Sequence, residues 1–272
     1  MKIVNIVIAY KNIEEIILYA KGVSELDDAD TICLVIVVND YGDSDYEGLR
    51  NKLTSISLQT EIYEAGKNLG YFNGFLYGVN RYMDQAAETP KWFILSNTDI
   101  EYKEPNFYSG FLSEKYDDDI WCVGPSIYNI NTGNYQNNEH RERISVRKMR
   151  MLSFIKSRRY IARIHKKLHD LKSSAPSNYK PESGCVYEVH GSFFGLKTEF
   201  VNLLRKKEYG AFLYAEEIFV AEEIRKYGKK TYYDSDIEIL HHEHSVTGTI
   251  PFALKTKYEA ESLRFLTDTY FR

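Results

Sequence analysis

The sequence predicts an α/β fold built around a mainly parallel central sheet flanked by helices. Three features carry that expectation. Residues 3–9 and 32–38 are unbroken apolar runs rich in β-branched side chains, the composition of strands buried on both faces. Helix-spaced segments separate these runs from two further short strands, and such alternation gives parallel pairing through covered crossovers. Each predicted strand also ends in polar residues: Tyr10-Lys11-Asn12, Asn39-Asp40, Lys67-Asn68 and Ser96-Asn97-Thr98-Asp99. In open α/β sheets ligands sit beyond the carboxyl ends of the strands, so the four tips should converge on one pocket.

The elements follow in order. Residues 12–26 place Ile13, Ile16, Ile17 and Ala20 at helical spacing behind Asn12 as N-cap. The turn-rich segment 39–45 stops the second strand. Residues 61–65 form the third strand, a loop over 66–70 leads into a helix reaching about Ala87, and residues 91–95 form the fourth strand. The second half is less regular. Strands are expected over 120–126 and 186–190, and a helix over 197–205. Ala215 to Tyr227 reads as a helix closed by Gly228. A strand pair or edge follows over 230–240, then an amphipathic helix over 252–270. With no internal repeat and no Gly/Ser linker, residues 1–272 read as one domain of two halves, 1–100 and 101–272, the second interrupted by a basic insertion near 140–180.

Composition narrows the class. The 272 residues are 43% hydrophobic, which excludes a disordered chain and suffices for a sizeable core. No apolar run approaches the roughly 18 residues of a membrane-spanning helix. Met1 to Tyr10 carries one Lys and no small-residue cleavage site, so it is not read as a secretory signal. Cys33, Cys122 and Cys185 lie far apart without a C-x-x-C pair, as reduced thiols of a cytoplasmic protein rather than a disulfide framework or zinc site. The net charge of −4 hides an asymmetry. Between Arg141 and Lys172 twelve basic residues face only Glu142 and Asp170, a net of +10 on an otherwise acidic chain. Such a block is suited to phospholipid, nucleic acid or a phosphorylated substrate.

Three constellations could carry chemistry. Asp99 directly follows an apolar strand, where a carboxylate either holds a hard cation such as Mg²⁺ or Mn²⁺ in the ligand crevice or caps a local turn. Glu216 and Glu217 open a helix after the aromatic run Phe212-Leu213-Tyr214. They serve either as dipole-favoured first-turn acids or as a general base with a raised pKa. His241, His242 and His244, with Glu243 among them, follow a strand and could complete a metal site or donate to a diphosphate. Their spacing does not fit H-E-x-x-H.

In this order, the segments resemble a family 2 glycosyltransferase of the GT-A fold, in particular the rhamnosyltransferase-like branch that builds bacterial surface polysaccharides. Ala9-Tyr10-Lys11-Asn12 is similar to the family's first strand end, and Val38-Asn39-Asp40-Tyr41-Gly42-Asp43-Ser44-Asp45 to its second. The Asn-x-Gly-aromatic signature appears at Asn68-Leu69-Gly70-Tyr71 and continues to Gly74 and Gly78. Ser96-Asn97-Thr98-Asp99 resembles the metal motif, and Val189-His190-Gly191-Ser192-Phe193-Phe194 the strand bordering the acceptor. Glu216-Glu217 stands where the family places Glu-Asp, with its base second, and His242-Glu243-His244-Ser245 resembles its closing His segment.

The resemblance implies a GT-A fold with a Rossmann-like nucleotide-binding half and an acceptor half. It implies inverting, metal-dependent transfer of a hexosyl or deoxyhexosyl unit from a nucleotide diphosphate sugar to a glycan or polyprenyl-diphosphate-linked acceptor. Tyr10, Asn12, Asn39, Asp40, Asn68, Gly70 and Asn97 would bind the donor. Asp99, His242 and His244 would hold Mn²⁺ or Mg²⁺, and Gly191 and Ser192 would line the acceptor side. Glu217, with Glu216 beside it, would be catalytic. The chain departs from the family in having Asn39 for the base-reading Asp, Asn97 for the first acid of Asp-x-Asp, and Glu217 for Asp. No Gln-x-x-Arg-Trp follows the base, which by resemblance argues against a processive polymerising synthase.

Within the basic insertion, Met149, Leu152, Ile155, Ile161, Ile164, Leu168 and Leu171 recur at helical spacing among Lys and Arg. An amphipathic basic helix pair suits an anionic inner-membrane surface; a solvated hairpin is the alternative, and sparse aromatics disfavour nucleic acid. Two rival functions remain. A non-catalytic sugar-nucleotide or glycan-binding module accommodates the substitutions at 39, 97 and 217. A sugar nucleotidyltransferase would need a Gly-rich loop after the first strand, which Tyr10-Lys11-Asn12-Ile13-Glu14-Glu15 lacks.

Overall fold

The computed structural model describes residues 2–39, 46–113, 115–136, 140–172, 179–242 and 250–272. Asp40 and His244, expected at the site, lie outside these residues. The first half alternates β1 (Ile3–Ala9), α1 (Ile13–Ser24), β2 (Ile32–Val38), α2 (Tyr46–Leu53), β3 (Thr60–Glu64), α3 (Tyr71–Met83) and β4 (Trp92–Ser96). The second runs β5 (Ile100–Tyr102), α4 (Ser109–Leu112), β6 (Ile120–Asn129), β7 (Asn134–Tyr135), α5 (Val146–Ser157), α6 (Arg159–Lys172), β8 (Gly184–Val186), β9 (Phe193–Lys197), α7 (Thr198–Leu204), α8 (Glu216–Arg225), β10 (Lys230–His241) and α9 (Phe252–Tyr270).

One sheet passes through both halves in the order β3-β2-β1-β4-β9-β6-β10-β5, with β7 on β6 and β8 on β10. It is mixed, not purely parallel. β3, β2, β1 and β4 pair in parallel, but β9 is antiparallel to both β4 and β6, and β5 and β8 are antiparallel to β10. The physical reason lies in the second half, where only β6 and β10 are joined in parallel. Residues 230–241 form one continuous strand beside β6 instead of a strand pair. The expected strand over 186–190 ends at Val186, and the antiparallel β9 begins at Phe193.

Period-2 alternation divides the core between the two sheet faces. Val4, Ile6, Cys33, Val35 and Val37 face the side covered by α3, α7 and α8. Ile3, Val7, Ile32, Leu34 and Ile36 face the side covered by α1 and α2. All ten are fully buried, each aliphatic side chain contributing roughly 1.5–3 kcal/mol. Asn5 interrupts the second face, and its side-chain amide donates to the Tyr19 and Tyr108 hydroxyls, at 2.5 and 2.7 Å. Tyr19 passes the network to Ser96 at the tip of β4.

α3 joins the two halves. A Cβ on Gly78 would lie 2.7 Å from Val37 Cγ2, so the helix sits close against β2. Gly70, just before the helix, has φ +81°, and a Cβ there would lie 1.9 Å from the Phe212 carbonyl oxygen. The backbones of the 66–70 and 209–215 loops therefore touch. Asn73 fastens the contact, donating to the Tyr209 carbonyl at 2.9 Å and accepting from the Tyr209 amide at 2.9 Å. Gly70→Ala should cost about 3 kcal/mol or more, combining left-handed strain with overpacking. Gly66→Ala, at φ +74° with no atom within 4 Å, should cost only about 1–2 kcal/mol; urea unfolding of both variants checks the difference.

Candidate functional site

The strand tips converge on a cleft of about 640 Å³. Of the predicted residues, Tyr10, Asn12, Asn39, Asn68, Gly70, Asn97, Asp99, Gly191, Ser192, Glu216 and Glu217 all line it. His242 does not: its side chain turns to Glu101, with Nε2 3.2 Å from the carboxylate. Its neighbour His241 occupies the expected place instead, because side chains alternate along β10. His241 Nε2 lies 3.2 Å from Asp99 Oδ1.

That contact is not aligned as a hydrogen bond. Both Asp99 oxygens and His241 Nε2 are buried without a hydrogen-bond partner, whereas native structures leave few such groups unsatisfied. Burial pushes the Asp99 carboxyl up, but His241, its own backbone amide and Asn97 together hold it below the usual carboxylate range. An anionic oxygen pair beside an imidazole nitrogen is a fitting partial donor set for a divalent cation. Among the described residues no cluster of three His, Cys, Asp or Glu side chains could enclose one, so substrate oxygens and water would complete the coordination.

Several predicted donor-binding residues hold loops in place. Asn39 is 2% exposed. Its amide donates to Asn68 Oδ1 at 3.1 Å and the Gly70 carbonyl at 2.7 Å, while its carbonyl accepts from the Leu69 amide. The side chain is consumed in shaping the 68–70 turn. Asn12 occupies the N-cap position of α1 but makes no capping bond. Instead it accepts from the Tyr10 amide at 2.8 Å and donates to Glu15 and Thr98, tying β1 to the Asn97–Asp99 loop. Lys11, with φ +59°, makes the turn that permits this. The Asn97 backbone N–H donates to the Ser192 carbonyl at 2.8 Å, which fastens the loop to the start of β9.

The acidic wall is built by a strained turn. Tyr214 and Ala215 have φ of +74° and +60°, two successive non-glycine residues in the left-handed region. They reverse the chain sharply into α8, whose first turn carries Glu216 and Glu217. The turn is held from outside: Tyr209 donates to the Tyr214 carbonyl, Ser262 to the Leu213 carbonyl, and Phe212 packs on Tyr258 with ring centroids 5.0 Å apart. Glu216 is buried and accepts from the Tyr214 amide at 2.8 Å. Burial pushes its carboxyl up to about 7, the backbone bonds opposing. Glu217 lies at the surface of the cleft facing Gly191, where a Cβ would sit 3.2 Å from its Oε2.

Tyr71, His190 and Gln136 also line the cleft, and none had a role assigned from sequence. Tyr71 follows the Asn-x-Gly motif, and its hydroxyl is buried without a hydrogen-bond partner. Its ionisation is pushed up first by burial, then by Glu216 and Asp99. His190 stands beside His241, with ring centroids 6.2 Å apart, and its Nδ1 accepts from the Ser192 amide at 3.2 Å. Burial, then His241, pushes it down to about 4, so it is neutral at pH 7. Gln136 sits against His241 and carries no sequence signal.

No protein-family model matches the chain, and no curated protein matches it in sequence. Solved structures do match. GalNAc-T7 in complex with UDP, GalNAc and Mn²⁺ aligns over 99% of this chain and 49% of its own, with a TM-score of 0.63 at 13% identity. The mannosyltransferase PcManGT from Pyrobaculum calidifontis, in complex with GDP-Man and Mn²⁺, aligns over 99% and 70%, with a TM-score of 0.57 at 11% identity. The chain thus spans about half the length of the first. The likeness is one of fold: this is the GT-A glycosyltransferase fold.

Because its carboxyl is raised from 4.5 to about 7, Glu216 binds its proton more tightly in the folded chain. Its contribution to stability is complete below pH 4.5 and is lost as pH rises through 7. Glu216→Gln, which keeps the bond from Tyr214, should therefore melt higher than wild type at pH 8, by the equivalent of roughly 1–3 kcal/mol. The advantage should vanish near pH 4.5 in paired thermal melts.

Proposed function

We propose that the protein is a metal-dependent, inverting glycosyltransferase. It would move a hexosyl or deoxyhexosyl unit from a nucleotide diphosphate sugar to a hydroxyl of a glycan or polyprenyl-diphosphate-linked glycan, in bacterial surface polysaccharide synthesis. The observation that carries this reading is one cleft lined by both the unsatisfied Asp99–His241 pair and the Glu216–Glu217 wall. The Mn²⁺ in both fold neighbours accords with it.

Each residue has a task in that reaction. Asp99 and His241 would hold the divalent cation, whose chemistry there would be Lewis-acid neutralisation of the leaving diphosphate. Glu217 takes the proton of the attacking hydroxyl, and Gly191 leaves the space beside it where an acceptor approaches. Glu216, protonated below about pH 7, adds no second negative charge there. Tyr71 has a hydroxyl proton to donate to the donor's sugar or phosphate. Tyr10 and Asn68 flank the nucleoside, while Asn12, Asn39 and Asn97 hold the loops that present it, so that reacting atoms are aligned before chemistry.

Glu217→Gln should lower turnover by 10²-fold or more while leaving donor affinity intact. Thermal-shift titration with UDP- and GDP-sugars, with and without Mn²⁺, should show one donor stabilising the protein only when the metal is present. Donor binding with no transfer by wild type would instead identify a binding module.

The basic insertion favours a membrane-surface location for this activity. α5 and α6 form the helix pair, with Met149 and Ala162 buried on the body and Lys156 paired to Glu259 of α9 at 2.6 Å. The outer side keeps Phe154, Tyr160 and Ile164 at 56%, 83% and 60% exposed, among Arg150, Arg158, Arg159 and Lys167. Arg163 and Lys166 pack over Phe252, beside Pro251 and Leu254 on the cleft rim. Apolar side chains within a cationic field match an anionic bilayer interface, and no described helix is long and apolar enough to cross one. In co-sedimentation with phosphatidylglycerol vesicles, replacing Arg158, Arg159, Lys166 and Lys167 by Gln should abolish binding that wild type shows; unchanged binding refutes the docking face.

A further inference from the structure

The cation-facing nitrogen of His241 is selected by a neighbour that no motif marks. His241 Nδ1 lies 2.6 Å from Gln136 Oε1. A carbonyl oxygen only accepts, so the ring hydrogen of His241 resides on Nδ1. A neutral imidazole of that tautomer presents a lone pair at Nε2. This is the nitrogen buried 3.2 Å from Asp99 Oδ1 without a hydrogen-bond partner. Two lone pairs facing each other in a buried wall are unfavourable unless a positive charge lies between or beside them.

The arrangement is built into the sheet. β10 and β6 are in register, with His241 opposite Asn129. β7 folds back on the end of β6, and the Gln136 amide, one residue past β7, donates to the Ile127 carbonyl at 2.7 Å. The Gln136 backbone is thus pinned where its side chain reaches the far edge of the His241 ring. Histidines that ligate metals characteristically donate their other nitrogen in this way, which fixes the ring and raises its basicity.

We propose that Gln136 is a positioning residue of the cation site: by accepting the Nδ1 hydrogen it fixes His241 in the tautomer and orientation that offer Nε2, with Asp99, to a divalent cation. The inference rests on the metal-dependent reading above and adds a residue outside the cleft's charged groups.

The test is Mn²⁺ binding to the full chain, followed by the loss of the free-ion electron paramagnetic resonance signal, with no sugar nucleotide present. Gln136→Met, similar in size but without the acceptor, should raise the Mn²⁺ Kd by about 10- to 100-fold. Its metal-free melting temperature should stay near that of wild type. Gln136→Glu retains an acceptor and should bind Mn²⁺ at least as tightly as wild type. In ¹⁵N-histidine spectra of the metal-free protein, His241 should show its hydrogen on Nδ1, and Gln136→Met should lose that preference. A Gln136→Met affinity within twofold of wild type, a weaker Gln136→Glu, or an Nε2–H tautomer in wild type would overturn the proposal alone. Failure of wild type to bind Mn²⁺ at all would overturn the metal-dependent reading with it.

Discussion

The backbone contact between Gly70 and Phe212 holds the site together, because it is where the strand-tip loops of the first half meet the loop that carries the acids. Neither loop is regular structure, and each needs an external partner for its backbone groups. Asn39 and Asn68 supply these for the first, Asn73, Tyr209 and Ser262 for the second. With both surfaces so determined, the chain sustains left-handed Tyr214 and Ala215, a conformation costing about 1–3 kcal/mol per residue that persists only in an over-determined setting. Strain in the turn and rigidity in the cleft have one origin.

The treatment of buried charge separates site from scaffold. Glu222 is met by Arg143, Arg225 and the Tyr187 hydroxyl, Glu223 by Lys207 and Lys226, Glu238 by Lys103 and Lys180, and Asp234 by Lys115 and Tyr116. These carboxylates anchor α8 and β10, and each has a cation in contact. At Asp99 neither oxygen is hydrogen-bonded, and the same holds for the nearby Tyr71 hydroxyl. A buried polar group left open costs about 1–3 kcal/mol. Others lie elsewhere in the fold, on Asn5, Asp28 and Ser126, but those on Asp99, His241 and Tyr71 border one cleft, where a ligand could complete their bonds.

The first half of the fold was legible because burial on both faces leaves an unambiguous signature: Ile3–Ala9 and Ile32–Val38 can be little else than central strands. The mixed second half was less so. β9 begins directly after Gly191 and Ser192, and its antiparallel direction is fixed by β4 and β6, which no local pattern encodes. The cleft's composition was legible from four polar strand ends, yet two assignments moved by the physics of pairing. Strand alternation exchanges His242 for His241 at Asp99, and the neighbouring turn takes both side-chain amide hydrogens of Asn39 and occupies its carbonyl. Gln136 was invisible, since only the fold-back of β7 brings it to its partner.

The turn around Asn39 also constrains how this chain could be redesigned. Exchanging Asn39 for aspartate would remove the amide hydrogens now given to Asn68 and the Gly70 carbonyl. A carboxylate would then confront two acceptors in a buried pocket. The asparagine, its partner at 68 and the glycine at 70 thus form an interdependent trio, in which a substitution at one member undoes the geometry the other two maintain.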